Sequence, residues 1–193
     1  MRKRSFTTLG PVLGLLVALG PAGCIFTPRE PEEGIGEVCY EAVPSTEATF
    51  VFANLDESMA CLQAFSYLDQ LSDEFVFVPS PSVQAQFPGV FSDPDSWTKE
   101  KEEQFLDRLF SDAASVESAL LAETIQESGT QEVLFEAAYE VRVVGRDGSD
   151  ITYTGEAFYT VRQEATTWFL VRWEEKGSAN PLGQLRGGLL QGG

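Results

Sequence analysis

The sequence predicts an α+β domain in which a curved antiparallel sheet of four to six strands is wrapped around N-terminal helices. Two amphipathic stripes in the first part of the chain indicate helices, and three alternating apolar segments in the last third indicate strands. A chain of 193 residues with 43% hydrophobic residues is long and apolar enough for one globular domain.

The first predicted elements are a short strand and a helix. Residues 49–52 are interpreted as the strand, and Asn54 with Glu57 has the form of a capping box at a helix start. The apolar stripe of this helix consists of Cys61, Leu62, Phe65, Leu68 and Leu71. A strand is expected at 74–78, where Pro79 ends it.

The middle of the chain is predicted to hold a loop, a helix and a strand. Residues 81–94 are interpreted as an ordered loop with apolar anchors, and Pro94-Asp95-Ser96 ahead of Trp97 predicts the start of a second helix. The apolar stripe of this helix consists of Phe105, Leu106, Leu109, Phe110 and Ala113. Residues 116–124 fit either helix or strand and are interpreted as a strand.

Three further strands are predicted at 132–144, 150–162 and 167–175. The apolar residues of the first two hold odd positions: Val133, Phe135, Ala137, Tyr139, Val141, Val143, Ile151, Tyr153, Ala157, Tyr159 and Val161. A loop at 146–148 pairs odd with odd positions, with Gly148 in the left-handed conformation. The third strand is expected to add Phe169, Val171 and Trp173 to the same face.

This order of elements, the Phe-Val-Phe-Val-Pro segment at 75–79 and the closing Trp168 to Trp173 pattern together resemble the nuclear transport factor 2-like superfamily. The resemblance covers Asp56 to Glu175 and implies a cone-shaped domain whose helices cap the concave face of a bent sheet. A lipocalin-like barrel is the alternative fold, but it requires more strands and fewer early helices.

The resemblance implies two classes of function, because the superfamily contains isomerase-like and dehydratase-like enzymes as well as binding and assembly modules. Its enzymes use a carboxylate base with Tyr, Asp or His partners inside the cone. This chain has no His, which excludes the dehydratase pattern, and none of its positions matches a catalytic Asp. A non-catalytic module that acts through protein contacts or in an assembly is therefore preferred. A carrier or sensor for a small apolar ligand is the alternative, and an acid–base isomerase or dehydratase is the least favoured interpretation.

Two sets of residues are candidates for binding. Tyr139, Tyr153, Tyr159 and Trp173 lie on the apolar face and are candidates for lining a pocket for a small apolar ligand. Plain core packing is the alternative. Phe158, Trp168 and Leu170 fall on the polar face and are candidates for an association surface with an envelope protein or a second copy. The alternative there is that residues 181–190 fold back over them.

Charge and cysteine content restrict the partners further. A formal net charge of −17 excludes nucleic acid, whose binding requires cations. The acidic clusters at 93–95 and 147–150 do not match a calcium loop, so neither a metal nor another cofactor is expected. Cys39 and Cys61 are candidates for a disulfide if the chain is exported, and two separate thiols are the alternative.

The N-terminus has the form of an export signal. Three cations at 2–4 precede an apolar stretch at 9–19, and Ala22-Gly23-Cys24 resembles a bacterial lipobox, with Pro21 in place of the usual Leu. The resemblance implies acylation of Cys24. An uncleaved membrane helix is the alternative, although repeated Gly and Pro residues disfavour it.

The predicted organisation therefore has four parts. Residues 1–23 form a lipoprotein signal peptide, 24–38 an acylated Cys with a flexible tether, 39–180 the folded domain and 181–193 a loosely held tail. By resemblance to lipoprotein sorting, Ile25 after the Cys favours the outer membrane, with the domain facing the periplasm.

Overall fold

The computed structural model describes residue 39 and residues 42–93, 95–128 and 131–191, with only the backbone described at 121–128. The elements in chain order are α1 (Ala48–Ala60), α2 (Ala64–Leu68), β1 (Leu71–Val78), α3 (Pro81–Gln86), β2 (Trp97–Thr98), α4 (Lys99–Asp112), β3 (Ala113–Ser128), β4 (Glu132–Gly145), β5 (Asp150–Glu164), β6 (Thr167–Glu175) and α5 (Leu182–Gln191). The strands form one sheet in the order β2-β1-β6-β5-β4-β3, antiparallel except between β1 and β6. The predicted α+β class is confirmed.

The β4–β5 hairpin has the predicted register. Tyr139 pairs with Gly155 and Val141 with Tyr153, so the odd positions of both strands share the face that the helices cover. The loop closes through the Gly145 N–H, which donates to the Ser149 carbonyl at 2.8 Å. Gly148 has a φ of 86°, the left-handed conformation that the pattern predicted.

The predicted register of β6 is wrong in its first half. Thr160 pairs with Arg172, but Val161 pairs with Leu170, so β6 contains one extra residue at this point. This β-bulge turns Leu170 into the core, where it is 0% exposed. Phe169 and Val171, which were expected in the core, are only half-buried.

The strand predicted at 49–52 is instead the first part of α1. Its core face is formed by Val51, Phe52, Leu55 and Met59, whose helical spacing outweighs the strand preference of the first residues. Asn54 is not a cap, because it is buried within the helix and its Nδ2 donates to the carbonyl of Val43 at 2.7 Å.

The predicted first helix is also interrupted. Leu62 has a φ of 53°, which breaks the helical path between α1 and α2. Phe65 was expected on the buried stripe, but it is 78% exposed on α2. Leu71, the last residue of that stripe, begins β1.

The predicted elements from β1 to β3 correspond to observed ones. β1 contains 74–78 and begins three residues earlier, while the segment predicted as a loop contains α3, followed by buried Phe87, Val90 and Phe91. The expected second helix is α4, but it begins at Lys99 because Trp97–Thr98 pairs with β1 as β2, and the ambiguous segment 116–124 lies in β3.

The C-terminal segment is not a loose tail. Leu182–Gln191 is a helix, α5, that packs against α4 and β5 on the covered face of the sheet. Leu182 is 1% exposed and Arg186 is 0% exposed, so α5 belongs to the core. The expectation that this segment folds over Phe158, Trp168 and Leu170 on the other face is therefore wrong.

Within the described part of the chain, no helix combines the length and the apolar character needed to cross a bilayer.

Candidate functional site

Most of the predicted pocket residues lie in a filled interior. Tyr139, Tyr159 and Trp173 are each at most 2% exposed. The Tyr159 ring lies 5.0 Å from that of Trp173 and 5.3 Å from that of Phe52 on α1. Edge and tilted contacts at these distances are typical of close-packed aromatic side chains. These three residues therefore pack the middle of the cone, and only Tyr153 borders an open cleft.

The centre of this interior is a buried ion pair between α4 and α5. Arg186 Nε donates to Glu102 Oε2 at 2.9 Å, and its Nη2 donates to Oε1 at 2.6 Å. Both side chains are completely buried. Burial lowers the pKa of Arg186, but the charge and hydrogen bonds of Glu102 raise it more, so Arg186 stays charged.

Aromatic residues complete the surroundings of this pair. The Arg186 guanidinium carbon lies 4.1 Å from the ring centre of Phe77 and 4.6 Å from that of Trp173, within cation–π range. Trp97 Nε1 donates to Glu102 at 2.6 Å, and the Tyr67 hydroxyl donates to it at 3.3 Å. The Glu102 carboxylate thus receives hydrogen bonds from three side chains.

A second buried carboxylate holds the start of α5. Glu175 Oε1 accepts from the Tyr139 hydroxyl at 2.9 Å and from the Gly183 N–H at 2.8 Å. The same hydroxyl accepts from the Leu182 N–H at 3.1 Å. Burial raises the pKa of Glu175, although the Gly183 N–H and Arg186 oppose this change.

A third carboxylate, Asp56 on α1, joins the helix to β3. It accepts from the Ser118 hydroxyl at 2.6 Å and from the Leu120 N–H at 3.0 Å. Burial raises the pKa of Asp56, and these two hydrogen bonds lower it in part. Glu102, Glu175 and Asp56 are thus each used to fix one element against another.

An open cleft of about 450 Å³ lies beside this interior. It is bounded by the end of α4, the beginning of β3, the β4–β5 hairpin and α5. Its apolar wall consists of Leu109, Ala113, Val143, Ile151, Tyr153, Leu185 and Leu189. Its volume is in the range of small-molecule sites, and its mainly apolar lining with a few polar groups is typical of them.

The polar groups of the cleft are Ser111, Asp112, Arg146, Asp147 and Ser149. The Arg146 N–H donates to the Asp112 carbonyl at 2.8 Å, which fixes the hairpin to the end of α4. Asp147 Oδ1 accepts from the hydroxyl of Ser149 at 2.7 Å and from its N–H at 2.9 Å. The side chains of Arg146 and Asp112 make no hydrogen bond or ion pair to the described residues.

The predicted association face is changed by the bulge. Leu170 is in the core, and Trp168 is half-buried, with its backbone N–H donating to the Ser45 carbonyl at 2.8 Å. Phe158 does lie on the outer face, beside a depression of about 220 Å³, with Lys176 Nζ 5.0 Å from its ring centre. The three residues therefore do not form one exposed patch.

The two cysteines of the domain are joined in the structure, where Cys39 and Cys61 form a disulfide with a Cα–Cα distance of 5.6 Å. It connects the N-terminal end of the described chain to the end of α1. Cys24 and the other N-terminal residues of the lipoprotein prediction lie outside the described residues. No group of three or more His, Cys, Asp or Glu residues in the described part of the chain is arranged to hold a metal ion.

The sequence reasoning missed the central residues Glu102, Glu175 and Arg186. Glu102 lies three and four residues before Phe105 and Leu106, on the apolar stripe of α4. Arg186 lies four residues after Leu182 and four before Leu190, on the apolar stripe of α5. Opposite charges on two apolar stripes are the signal that was available, because a buried charge needs a partner.

Comparison with solved structures shows the fold. The chain is similar to the "putative aromatic ring hydroxylase" of Novosphingobium aromaticivorans, with a TM-score of 0.57 and 16% identity over 73% of this chain and 96% of that one. It is also similar to the "putative scytalone dehydratase" of the same organism, with a TM-score of 0.55 and 11% identity over 69% and 89%.

A conserved protein from Planctomyces limnophilus gives a TM-score of 0.55 and 16% identity over 65% of this chain and 89% of that one. No protein-family model and no curated protein matches the sequence. The domain therefore has the nuclear transport factor 2-like cone fold, which confirms the predicted architecture. At these identities the likeness shows the fold and no activity, because this fold serves unrelated functions.

Proposed function

We propose that the protein is a lipid-anchored, non-catalytic binding domain of the bacterial cell envelope, and that it holds a small apolar ligand in the cleft between α4, α5 and the β4–β5 hairpin. The observation that carries the proposal is the contrast between a filled interior and this open cleft of about 450 Å³. The Glu102, Glu175 and Asp56 carboxylates inside the cone are held by hydrogen bonds to the protein itself. Only Oε2 of Glu175, which is buried, has no hydrogen-bond partner among the described residues, and none of the three carboxylates borders the cleft.

Burial of apolar surface is the driving force that this cleft offers. Ile151 is 45% exposed at its edge, and an occupant that covers it removes apolar surface from water. Leu185 and Leu189 face the cleft from α5, so the C-terminal helix is one wall of the proposed site.

The ligand site is tested by titration of the full chain with a fluorescent apolar probe such as 1-N-phenylnaphthylamine. Leu189→Trp places a larger side chain on the cleft wall and is expected to weaken probe binding at least tenfold. Leu134→Trp is the matched control, since Leu134 is also half-buried but borders the depression on the outer face. Equal affinity of both variants and the wild-type chain contradicts a site in the cleft.

The anchor rests on the N-terminal signal and on Cys24 in its lipobox-like setting. Growth of producing bacteria with an alkyne analogue of palmitate is expected to label the protein and to give a mature N-terminus at Cys24. Cys24→Ser should abolish the label, whereas Cys61→Ser should not. A labelled Cys24→Ser variant, or an unlabelled wild-type protein, contradicts the anchor.

An association surface for an envelope protein or a second copy is the second candidate function. Half-buried Phe158, beside the outer-face depression, favours it. Analytical ultracentrifugation of the full chain and of Phe158→Glu tests the homodimer directly. A dimer that dissociates in the variant supports it, and a wild-type monomer at all concentrations contradicts it.

A further inference from the structure

We propose that the occupant of the cleft is a single-chain amphiphile with a zwitterionic head, whose anionic group pairs with Arg146 and whose cationic group pairs with Asp112. This inference rests on the proposed function, because it names the class of ligand for the same cleft. It is carried by the two side chains at the rim that have no partner among the described residues.

The first observation is that Arg146 is an exception among the cations. Within residues 42–93, 95–128 and 131–191, each of the other Lys and Arg side chains binds a carboxylate or a backbone carbonyl. The chain has only 13 cations against 30 acidic residues, so a cation with neither a carboxylate nor a carbonyl partner among the described residues is unexpected. This one lies on the rim of the open apolar cleft.

The second observation is the opposite charge beside it. A backbone hydrogen bond of 2.8 Å holds Arg146 next to Asp112, yet their side chains form no ion pair with each other. Asp147, also at the rim, is already used by Ser149, whose hydrogen bonds lower the pKa of this carboxyl and keep it charged. Asp112 is thus the rim carboxylate that is available to a ligand.

The charge pattern selects the kind of head group. A head group with only a negative charge is attracted by Arg146 but repelled by Asp112, by Asp147 and by the protein's net charge of −17. A head group with only a positive charge is repelled by Arg146. A zwitterionic head group can pair with both Arg146 and Asp112, and it carries no net charge that the acidic protein would repel. Below the rim, the apolar wall from α4, β4, β5 and α5 offers the chain of an amphiphile the surroundings it needs.

The test uses the full chain with Cys24→Ser in every sample, so that no attached acyl group competes. Four amphiphiles of one chain length are titrated by calorimetry below their critical micelle concentrations: a lysophosphatidylethanolamine, a fatty acid anion, an alkylammonium ion and an uncharged monoacylglycerol. We expect the lysophosphatidylethanolamine to bind most tightly. Arg146→Ala and Asp112→Asn should each weaken it about threefold to fivefold, as for exposed ion pairs, without changing monoacylglycerol binding.

Arg142→Ala is the matched control, because this arginine lies on β4, four residues before Arg146, but pairs with Glu117 and Asp150 outside the cleft. It should leave all four affinities unchanged. Equal affinity for the four amphiphiles, tightest binding of a singly charged one, or no effect of Arg146→Ala overturns the head-group assignment while the proposed apolar site stands. Failure of all four amphiphiles and of the apolar probe to bind overturns both.

Discussion

The interior of the cone and the cleft at its rim differ in how their charged side chains are paired. In the interior, Arg186 and Glu102 are completely buried and bind each other through two hydrogen bonds. At the rim, Arg146 and Asp112 are neighbours that remain unpaired within the described residues. The difference indicates that the interior ion pair fixes α4 against α5, although Arg186 Nη1 has no partner of its own among the described residues, whereas charges left unpaired beside an open apolar surface are available for recognition.

The same contrast holds for apolar surface. Phe77, Trp173 and Phe105 surround the Arg186 guanidinium, so the centre of the cone is occupied by the chain's own C-terminal helix. Ile151 at the cleft is one of the few large apolar side chains of the described residues that remain exposed. The fold thus has a filled centre and an open site at one edge.

The largest expected effect comes from breaking the interior pair. Arg186→Ala leaves Glu102 buried without its cation and should lower the free energy of unfolding by about 3–5 kcal/mol, measured by urea denaturation. Arg142→Ala removes an exposed pair and should leave stability nearly unchanged. A small loss for Arg186→Ala contradicts the view that this pair organises the interior.

A smaller effect distinguishes the two sides of α5. A Cβ at Gly187 would lie 2.5 Å from the Phe87 ring, so Gly187→Ala should destabilise the protein by about 1–3 kcal/mol. Gly188 has no neighbour within 4 Å of such a Cβ, and Gly188→Ala should stabilise by about 0.5–1 kcal/mol through helix propensity. Thermal unfolding of both variants measures the difference, and equal behaviour contradicts the close packing of α5.

The smallest effect is a difference in pH dependence between interior and rim carboxylates. Burial raises the pKa of Glu175 above its ordinary 4.5, so the folded state holds this proton more tightly than the unfolded chain. Its contribution to stability is therefore lost as pH rises from about 4.5 through the raised value, and Glu175→Gln should remove this loss.

Asp147 should behave with the opposite sign. The hydrogen bonds from Ser149 lower its pKa below the ordinary 3.8, so its contribution is present above that value and is lost as pH falls through the lowered one. Asp147→Asn should remove that loss. Urea unfolding across acidic pH measures both variants, and a shift of the same sign in both contradicts the assignment of the two environments.

The sheet was predictable where local pattern and turn chemistry agreed. The β4–β5 register follows from alternation and from Gly148, both of which are encoded locally. The bulge in β6 was not predictable, because one extra residue leaves no mark in a segment that is apolar on both faces. It moved Leu170 from the expected outer face into the core.

The site was less predictable than the fold. The interior pair joins residues 84 positions apart, and the cleft exists only because α5 returns to the sheet. The Gly-rich sequence of this helix has weak intrinsic helix propensity, so its structure depends on contacts with Phe87, Glu102 and Glu175 that the local sequence does not reveal. Of the four predicted pocket residues, only Tyr153 borders the cleft.

The central claim, that a ligand binds at the rim and not inside the cone, is tested most directly by mapping the bound amphiphile with amide NMR shifts. We expect lysophosphatidylethanolamine to shift the signals of Val143, Arg146, Ile151, Leu185 and Leu189, which border the cleft. Phe135 and Tyr159, which are buried in the interior, should not shift. Large shifts at Phe135 and Tyr159 with none at the hairpin and α5 would contradict the account.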